Sequence, residues 1–469
     1  MPRLVVVGGG IAGLAAAHRV TELDASVDVE VFEASGRTGG AIHSEVLGDF
    51  VIERGPESLL TDKPAAMKLV ERIGLAKHVV KTQEAHRGAY VVCRGRLERI
   101  PEGFSLLAPT DLLAFVRSPI LSQRGKLRAL AELVLPRGER VADESLGSFV
   151  ERRFGRELLD RLAQPMVGGI YGAHPDSLSL GATMPRFLEA EREHRSVILG
   201  LVKRVRAQRA QAAQGARYGL FVNFEKGMQM LPDAVAAKLD GRIRLGHGVA
   251  AVRPEGKGYV VVGTDGREER ADAIVLAMPS HVASKLVAGF DAKLSGELSG
   301  IDFGSAAIVT FAFPKERLGR PLDAYGYVTP TIEGRTVLAS TWLSTKWPGR
   351  APSTHALVRF FLGRDGDDAV VDLPDEELVA IAREECRTMM ATEAAPELVR
   401  VDRYVNAMPR YRVGHLEKIA RIEARVAAHP GFELAGAAYR GVGIPDAIAS
   451  GERAAEASLS ALASLRTRA

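Results

Sequence analysis

Leu4-Val5-Val6-Val7-Gly8-Gly9-Gly10-Ile11-Ala12-Gly13-Leu14-Ala15-Ala16-Ala17 is the stretch that decides the fold. Its β-branched start reads as a buried strand, its glycines as a turn, and its Ala/Leu-rich end as a helix. A second strand is expected over 27–32, running into Glu33, twenty residues beyond Gly13. In a dinucleotide fold the first glycine permits the tight bend, the second lets backbone approach pyrophosphate, and the third lets helix and strand pack. The helix N-terminus then faces the phosphates. A carboxylate placed like Glu33 accepts from a ribose hydroxyl. Gly-x-Gly-x-x-Gly alone is common, but strand, turn, helix, strand and acidic end together specify a dinucleotide site.

The same stretch has a rival as a secretory signal, with Ala15-Ala16-Ala17 as its cleavage site. Glycines at 8, 9, 10 and 13 and a single basic residue ahead of the apolar run argue against it, so a mature cytoplasmic N-terminus is expected. At 469 residues the chain is too long for one core, which implies two or three domains. No run approaches the ~20 apolar residues of a membrane span. Cys93 and Cys386 are far apart and form no CxxC pair, which points to a reducing compartment without a zinc or iron-sulfur site. The net charge of +4 hides a basic segment, Lys203, Arg204, Arg206, Arg209 and Arg217, with no acid among them. A solvated helix end is the first reading, and contact with an anionic membrane surface the second. Nucleic acid is excluded by the lack of any aromatic-interleaved basic motif.

Beyond Glu33 the chain reads Ala34-Ser35-Gly36-Arg37-Thr38-Gly39-Gly40, then a strand and Phe50-Val51-Ile52-Glu53-Arg54-Gly55-Pro56-Glu57-Ser58. Glycine pairs remove side chains where backbone must approach a ligand. From 101 to 200 the pattern is helical, cut into short helices by prolines at 101, 109, 119 and 136. A helix is expected over 228–239, with short strands around 243–245, 249–253, 259–263 and 273–277. A largely antiparallel stretch follows over 306–313, 337–342 and 356–362, covered by a helix over 375–390. Near the end a strand at 433–435 leads into Gly436-Ala437-Ala438-Tyr439-Arg440-Gly441-Val442-Gly443-Ile444-Pro445 and a last helix. Glycines before a proline at a helix start present free N–H groups to a ligand. With no linker or repeat along the chain, the domains are expected to interleave.

The runs GGGIAGL, EASGRTGG, ERGPES, GGIYGAHPDSLSLGATMP, EREHRSVILG and GVGIPDAIASG together resemble the flavin-dependent porphyrinogen oxidases of haem synthesis. That group is related to monoamine oxidases and carotenoid desaturases. The resemblance covers essentially the whole chain, and GGIYGAHPDSLSLGATMP and EREHRSVILG are its specific part. It implies a mixed α/β fold: a Rossmann-like FAD-binding domain of the p-hydroxybenzoate hydroxylase and amine oxidase type, an antiparallel-sheet substrate domain and a helical domain. The expected partition is 1–62 with 225–290 and 405–469 for FAD, 63–100 with 291–404 for substrate, and 101–224 for the helical, membrane-associating part.

By position, the resemblance assigns Gly8, Gly9, Gly10, Ile11, Ala12, Gly13, Glu33 and Ala34 to the ADP half of FAD, and Arg37, Gly39 and Gly40 to the pyrophosphate and ribityl region. Gly55, Pro56, Glu57 and Ser58 flank the flavin, and the Val249 backbone meets the adenine. Val442, Gly443 and Ile444 meet the pyrimidine edge, with Tyr404 as a stacking or wall residue.

The implied reaction removes hydride from a methylene bridge of a porphyrinogen. The resulting cation is shared by two electron-rich pyrroles, so no strong general base is demanded, and neither a nucleophile triad nor a carboxylate dyad is evident. An apolar slot with a basic rim suits a flat macrocycle bearing propionates. Ile170, Leu338, Trp342 and Phe361 are its expected walls, the Gly169 carbonyl the acceptor for a pyrrole N–H, and Lys63 a propionate contact. Some plant and mitochondrial-type members carry arginine where this chain has Ala89. That departure, with the Lys346-Trp347-Pro348 run, favours the Gram-positive-type coproporphyrinogen III oxidases over protoporphyrinogen oxidases. Dioxygen as oxidant, a ferrochelatase as partner and peripheral membrane contact complete the expectation. An amine oxidase or carotenoid desaturase, and a flavin-free GDP-dissociation-inhibitor-like binding protein, are the alternatives.

Overall fold

The computed structural model describes residues 1–139, 141–212 and 220–467. The opening stretch forms strand Arg3–Val7, the glycine turn and helix Ile11–Leu23. Leu4, Val5 and Val6 are wholly buried, as in a strand of a parallel sheet covered on both faces. That sheet has five parallel strands in the order Ile243–Leu245, Asp28–Glu33, Arg3–Val7, Ala273–Leu276 and Phe432–Leu434. Its members come from widely separated stretches, so this layer interleaves with the rest of the chain. Antiparallel strands Val249–Glu255, Gly258–Gly263 and Glu268–Ala271 form a separate small sheet.

Helix Ile11–Leu23 lies against the last helix, Ile444–Thr467, on one side of the parallel sheet. Ala12, Ala15, Ala16, Ala447, Ile448, Ala454 and Ala455 share one buried cluster. At Gly451 the approach is closest: a Cβ there would sit 2.0 Å from the Ala12 carbonyl oxygen.

A seven-stranded sheet forms the second layer, in the order Leu398–Arg410, Asp302–Pro314, His355–Leu362, Val337–Trp342, Gly326–Val328, Tyr90–Cys93 and Arg96–Arg99. Helix Asp375–Met389 covers one of its faces through Leu378, Ala382, Cys386 and Met389. Short helices between 112 and 212, among them Leu146–Phe154, Gln164–Tyr171 and Pro185–His194, enclose a third core around Phe115, Phe149, Phe154 and Phe187.

Two expected boundaries move. Strand Leu398–Arg410 pairs with Asp302–Pro314 as far as Asp302 opposite Arg410, so a division at 404 would cut a continuous strand. Phe221–Phe224, expected in the helical part, instead pairs with Leu59–Leu60 and Val79–Lys81. Of the basic segment, Arg217 and the Arg209 side chain lie outside the described residues.

Gly451→Val places a branched side chain where one Cβ already collides with backbone. The two helices must move apart, and we expect a loss of about 2–3 kcal/mol, read as a lowered midpoint of chemical denaturation. An unchanged midpoint would mean that the contact does not constrain the fold.

Candidate cofactor and substrate site

A cavity of ≈ 430 Å³ runs along the C-terminal ends of the five parallel strands, where ligands of doubly wound folds bind. Each strand delivers the residues just past its end: Val7 and Gly8, Glu33 and Ala34, His247, Ala277 with Met278 and Pro279, and Gly436 with Ala437. Gly10 caps helix Ile11–Leu23 with no side-chain hydrogen bond, which leaves the first helical amides for a ligand.

The glycines of the first turn do different work. A Cβ on Gly8 would lie 2.3 Å from the Ala277 carbonyl oxygen, and one on Gly13 would lie 2.0 Å from that of Gly8, so both permit packing. On Gly10 it would meet nothing closer than the Gly40 Cα at 4.0 Å. Gly10 is therefore open on the cavity side. Glu33 accepts from the Gly9 N–H at 2.6 Å and the Ser35 N–H at 2.8 Å, so its carboxylate is fixed at the end of its strand.

The second glycine loop folds onto the first. The Gly39 N–H donates to the Gly9 carbonyl at 2.9 Å, and Gly39 and Gly40 line the cavity. Arg37 donates to the carbonyls of Thr38, Gly40 and Ile42 at 3.1, 2.6 and 3.0 Å. Its guanidinium holds the loop in shape. Val249, at the start of the small sheet, closes the end nearest Phe32 and His247, whose rings meet edge to face at 4.5 Å.

Of the Gly55 to Ser58 run, Pro56 lines the cavity. Gly55 packs so tightly that a Cβ would lie 2.0 Å from the Ala41 carbonyl oxygen. Glu57 accepts from Lys346 at 2.5 Å and Arg359 at 3.3 Å. Burial alone would raise its carboxyl, but those two cations bring it below the ordinary value. Arg359 also donates to the Gly55 carbonyl at 2.9 Å, and the Tyr404 hydroxyl to that of Arg54, also at 2.9 Å. Glu57 and Tyr404 thus brace the turn beside the cavity, a role the sequence did not distinguish from contact. In the C-terminal turn Val442 and Ile444 line the cavity, while the Gly443 N–H points to Asp446 at 3.3 Å. A long groove fed from both ends of the chain, glycine-walled and facing an uncapped helix N-terminus, fits an extended dinucleotide such as FAD.

On the substrate side, helix Gln164–Tyr171 lies over strand Val337–Trp342, with the Cβ position of Gly168 3.8 Å from Leu338 Cδ1. Gly169 has open space where a side chain would be, and Ile170 is 40% exposed. Phe361 pairs with Ile308 and Ala339, on the sheet face away from helix Asp375–Met389.

Two expected substrate residues are corrected. Trp342 pairs with Val358 and packs in the core of the opposite face with Tyr90 and Tyr327, because alternation along a strand sends it away from Phe361. Lys63 donates to both Asp446 carboxylate oxygens at 2.7 Å, so its charge is already matched. The sequence reading missed Ala277, Met278, Pro279, Phe303 and Pro409 as lining residues. The first three were findable, since they follow a strand and precede a helix as Gly8 to Gly10 do. Phe303 and Pro409 sit opposite one another on two strands, a pairing no local signal announces.

This arrangement defines a flavoprotein oxidoreductase. A model of the flavin containing amine oxidoreductase family matches residues 11–459, and the chain belongs to that family. It is 32% identical over 465 residues to coproporphyrinogen III oxidase of Bacillus subtilis strain 168, covering 98% of each chain. To the Staphylococcus aureus strain NCTC 8325 / PS 47 protein of the same name it is 34% identical over 460 residues, covering 97% of this chain and 98% of that one. A crystal structure from Exiguobacterium sp. 255-15, provisionally named protoporphyrinogen oxidase, superposes with a TM-score of 0.87 at 31% identity, covering 98% of this chain and 99% of that chain.

Gly10 and Gly13 separate cofactor contact from folding. We expect Gly10→Ala to leave the apoprotein's denaturation midpoint unchanged and to weaken FAD binding about tenfold, measured by titrating FAD into apoprotein. Gly13→Ala lowers both.

Proposed function

We propose that the chain oxidises coproporphyrinogen III to coproporphyrin III in haem synthesis, removing six electrons as three hydrides from methylene bridges together with three protons, two from pyrrole N–H groups and one from the remaining bridge. FAD, when bound, supplies the hydride acceptor for each step and passes the electrons to dioxygen, giving hydrogen peroxide. The observation that carries the reading is the open side of helix Gln164–Tyr171, where Gly169 bears no side chain and has nothing within 4 Å of its Cβ position, next to Gly168, whose Cβ position lies 3.8 Å from Leu338 Cδ1. The names of the two bacterial relatives support the substrate.

In this reading Ile170, Leu338 and Phe361 form the walls, and Gly169 lets the macrocycle approach with its carbonyl toward a pyrrole N–H. The glycines of the first two loops, Glu33, Pro56, Val249, Val442 and Ile444 hold FAD; Arg37, Glu57 and Tyr404 shape the loops that do so. Because the substrate cation stabilises itself, the protein's task is to orient the bridge carbon and exclude water. With Lys63 engaged by Asp446, Arg186 replaces it as the propionate contact. Arg186 is half-buried, has no hydrogen-bond or ion-pair partner among the described residues, and lies in the field of Tyr171 on the same helix as Gly169. Burial and then Arg204 pull its pKa down, a strain that an incoming carboxylate relieves.

No helix among the described residues is long and apolar enough to cross a membrane. Leu113, Leu127 and Val134 are nevertheless exposed beside Arg117 and Arg124, which supports peripheral contact with an anionic membrane through the helical part. A ferrochelatase is the partner class that would take up the product.

Anaerobic mixing with coproporphyrinogen III should bleach the flavin band near ~450 nm, and readmitted air should restore it with coproporphyrin formed. Equal or better use of protoporphyrinogen IX would overturn the substrate assignment. Arg186→Ala should raise KM for coproporphyrinogen about tenfold with kcat little changed, and an unchanged KM would remove Arg186 from the site.

A further inference from the structure

We propose that Tyr411 and His415 are positioning residues for the glycine turn at 436–443, fixing how its amides face the pyrimidine edge of the flavin. The inference rests on the assignment of that turn to FAD. The turn has no regular structure, and Gly436 and Gly441 hold φ of +128° and +125°. Such a loop keeps one shape only if its polar groups are tied.

The ties come from outside it. The Tyr411 hydroxyl donates to the Ala437 carbonyl at 2.6 Å and accepts from the Gly441 N–H at 2.7 Å, so one oxygen closes the neck of the turn. His415 Nε2 lies 2.8 Å from the Tyr439 carbonyl at the crest. The two rings stack at 3.8 Å and 13°, and are 1% and 4% exposed. Burial holds the imidazole pKa below its ordinary value, so the neutral ring donates through Nε2–H. Ser450 Oγ accepts from the Gly436 N–H at 3.1 Å at one end of the turn.

Tyr411 is itself held from both sides. Its carbonyl accepts from the Ser179 N–H at 2.8 Å. Arg410 donates to the Gly172 carbonyl at 2.8 Å and pairs with Asp368 at 2.6 Å, while Arg412 pairs with Asp302 and Asp365, each at 2.6 Å. The hydroxyl therefore stands at a point set jointly by the seven-stranded sheet and the helical part. Fixed amides and a helix N-terminus stabilise negative charge that builds on the pyrimidine edge during reduction. Tyr411 would thus tune how readily the flavin accepts hydride without touching it.

The test measures FAD affinity, flavin midpoint potential and thermal stability of the reconstituted protein for Tyr411→Phe, His415→Phe and Gly443→Ala. Tyr411→Phe keeps the stacked ring and loses both bonds. The expected result is a more negative potential, about tenfold weaker FAD binding and an unchanged KM for porphyrinogen. His415→Phe should shift the potential the same way but less, and it decides the matter if Tyr411→Phe does not fold. Lowered thermal stability with potential and affinity unchanged would reduce Tyr411 to a structural role and overturn the inference. If Gly443→Ala, which changes the turn itself, also leaves potential and affinity unmoved, the assignment of the turn to FAD falls with it.

Discussion

The close contact between Gly451 and the backbone of Ala12 governs the rest of the site. It lets the first and last helices lie together, with Ala12, Ala15, Ala16, Ala447, Ile448, Ala454 and Ala455 in one buried cluster. Each helix follows a strand of one parallel sheet, so both begin at the same edge, and the first residues of both line the same cavity. A larger residue at 451 would force two halves of one binding site apart. Chain termini more than four hundred residues apart in sequence become neighbours through the absence of a side chain.

Much of this was legible because it is local. Valine and leucine at 4–7, glycines at fixed offsets and a carboxylate at the end of the next strand encode a βαβ unit without reference to anything distant. The strand at 337–342 was equally legible, but the direction of each side chain was not: a bulge between Val337 and Ala339 shifts the register, and only the pairing of Trp342 with Val358 shows that the indole faces the core. Lys63 failed for a different reason. Its partner Asp446 lies 383 positions away, and no spacing rule reaches that far. The resemblance carried the fold and the class of chemistry, whereas charge pairing belongs to this chain's own packing.

The charges beside the Gly55 turn are matched, so the acids Glu53 and Glu57 there are structural. Glu53 and Arg350 are both fully buried 3.6 Å apart. Glu53 also accepts from Ser44 at 2.5 Å and Asn223 at 2.8 Å, tying the strand before the Gly55 turn to Phe221–Phe224. Burial drives the Glu53 carboxyl above its ordinary value despite Arg350. Glu57 goes the other way, having two cations in contact. Two carboxylates four residues apart are thus set to different protonation tendencies by their surroundings: Glu57 holds the Gly55 turn to the seven-stranded sheet through Arg359, and Glu53 holds the strand before it to Phe221–Phe224.

That matching bears on what the site can do. A general base needs a titratable group within reach of the proton it takes, and three carboxylates around the C-terminal end of helix Gln164–Tyr171 are spent: Asp446, in the field of Tyr171, on Lys63, and Asp365 and Asp368 on Arg412 and Arg410. Tyr171 on that helix is no substitute, because burial pushes it up to about 12. Proton abstraction from an unactivated carbon would be poorly served here, whereas the one bridge proton lost in forming a porphyrin is acidified by the conjugated rings that flank it. Hydride loss from a carbon whose cation is stabilised by its own substituents needs only placement, and placement is what the segment around Tyr411 supplies: its arginines lock two layers together while its hydroxyl reaches into the third. The energetic demand of the chemistry and the stiffness of the polar framework are therefore two sides of one arrangement, in which precision of position takes the role that a catalytic side chain plays elsewhere.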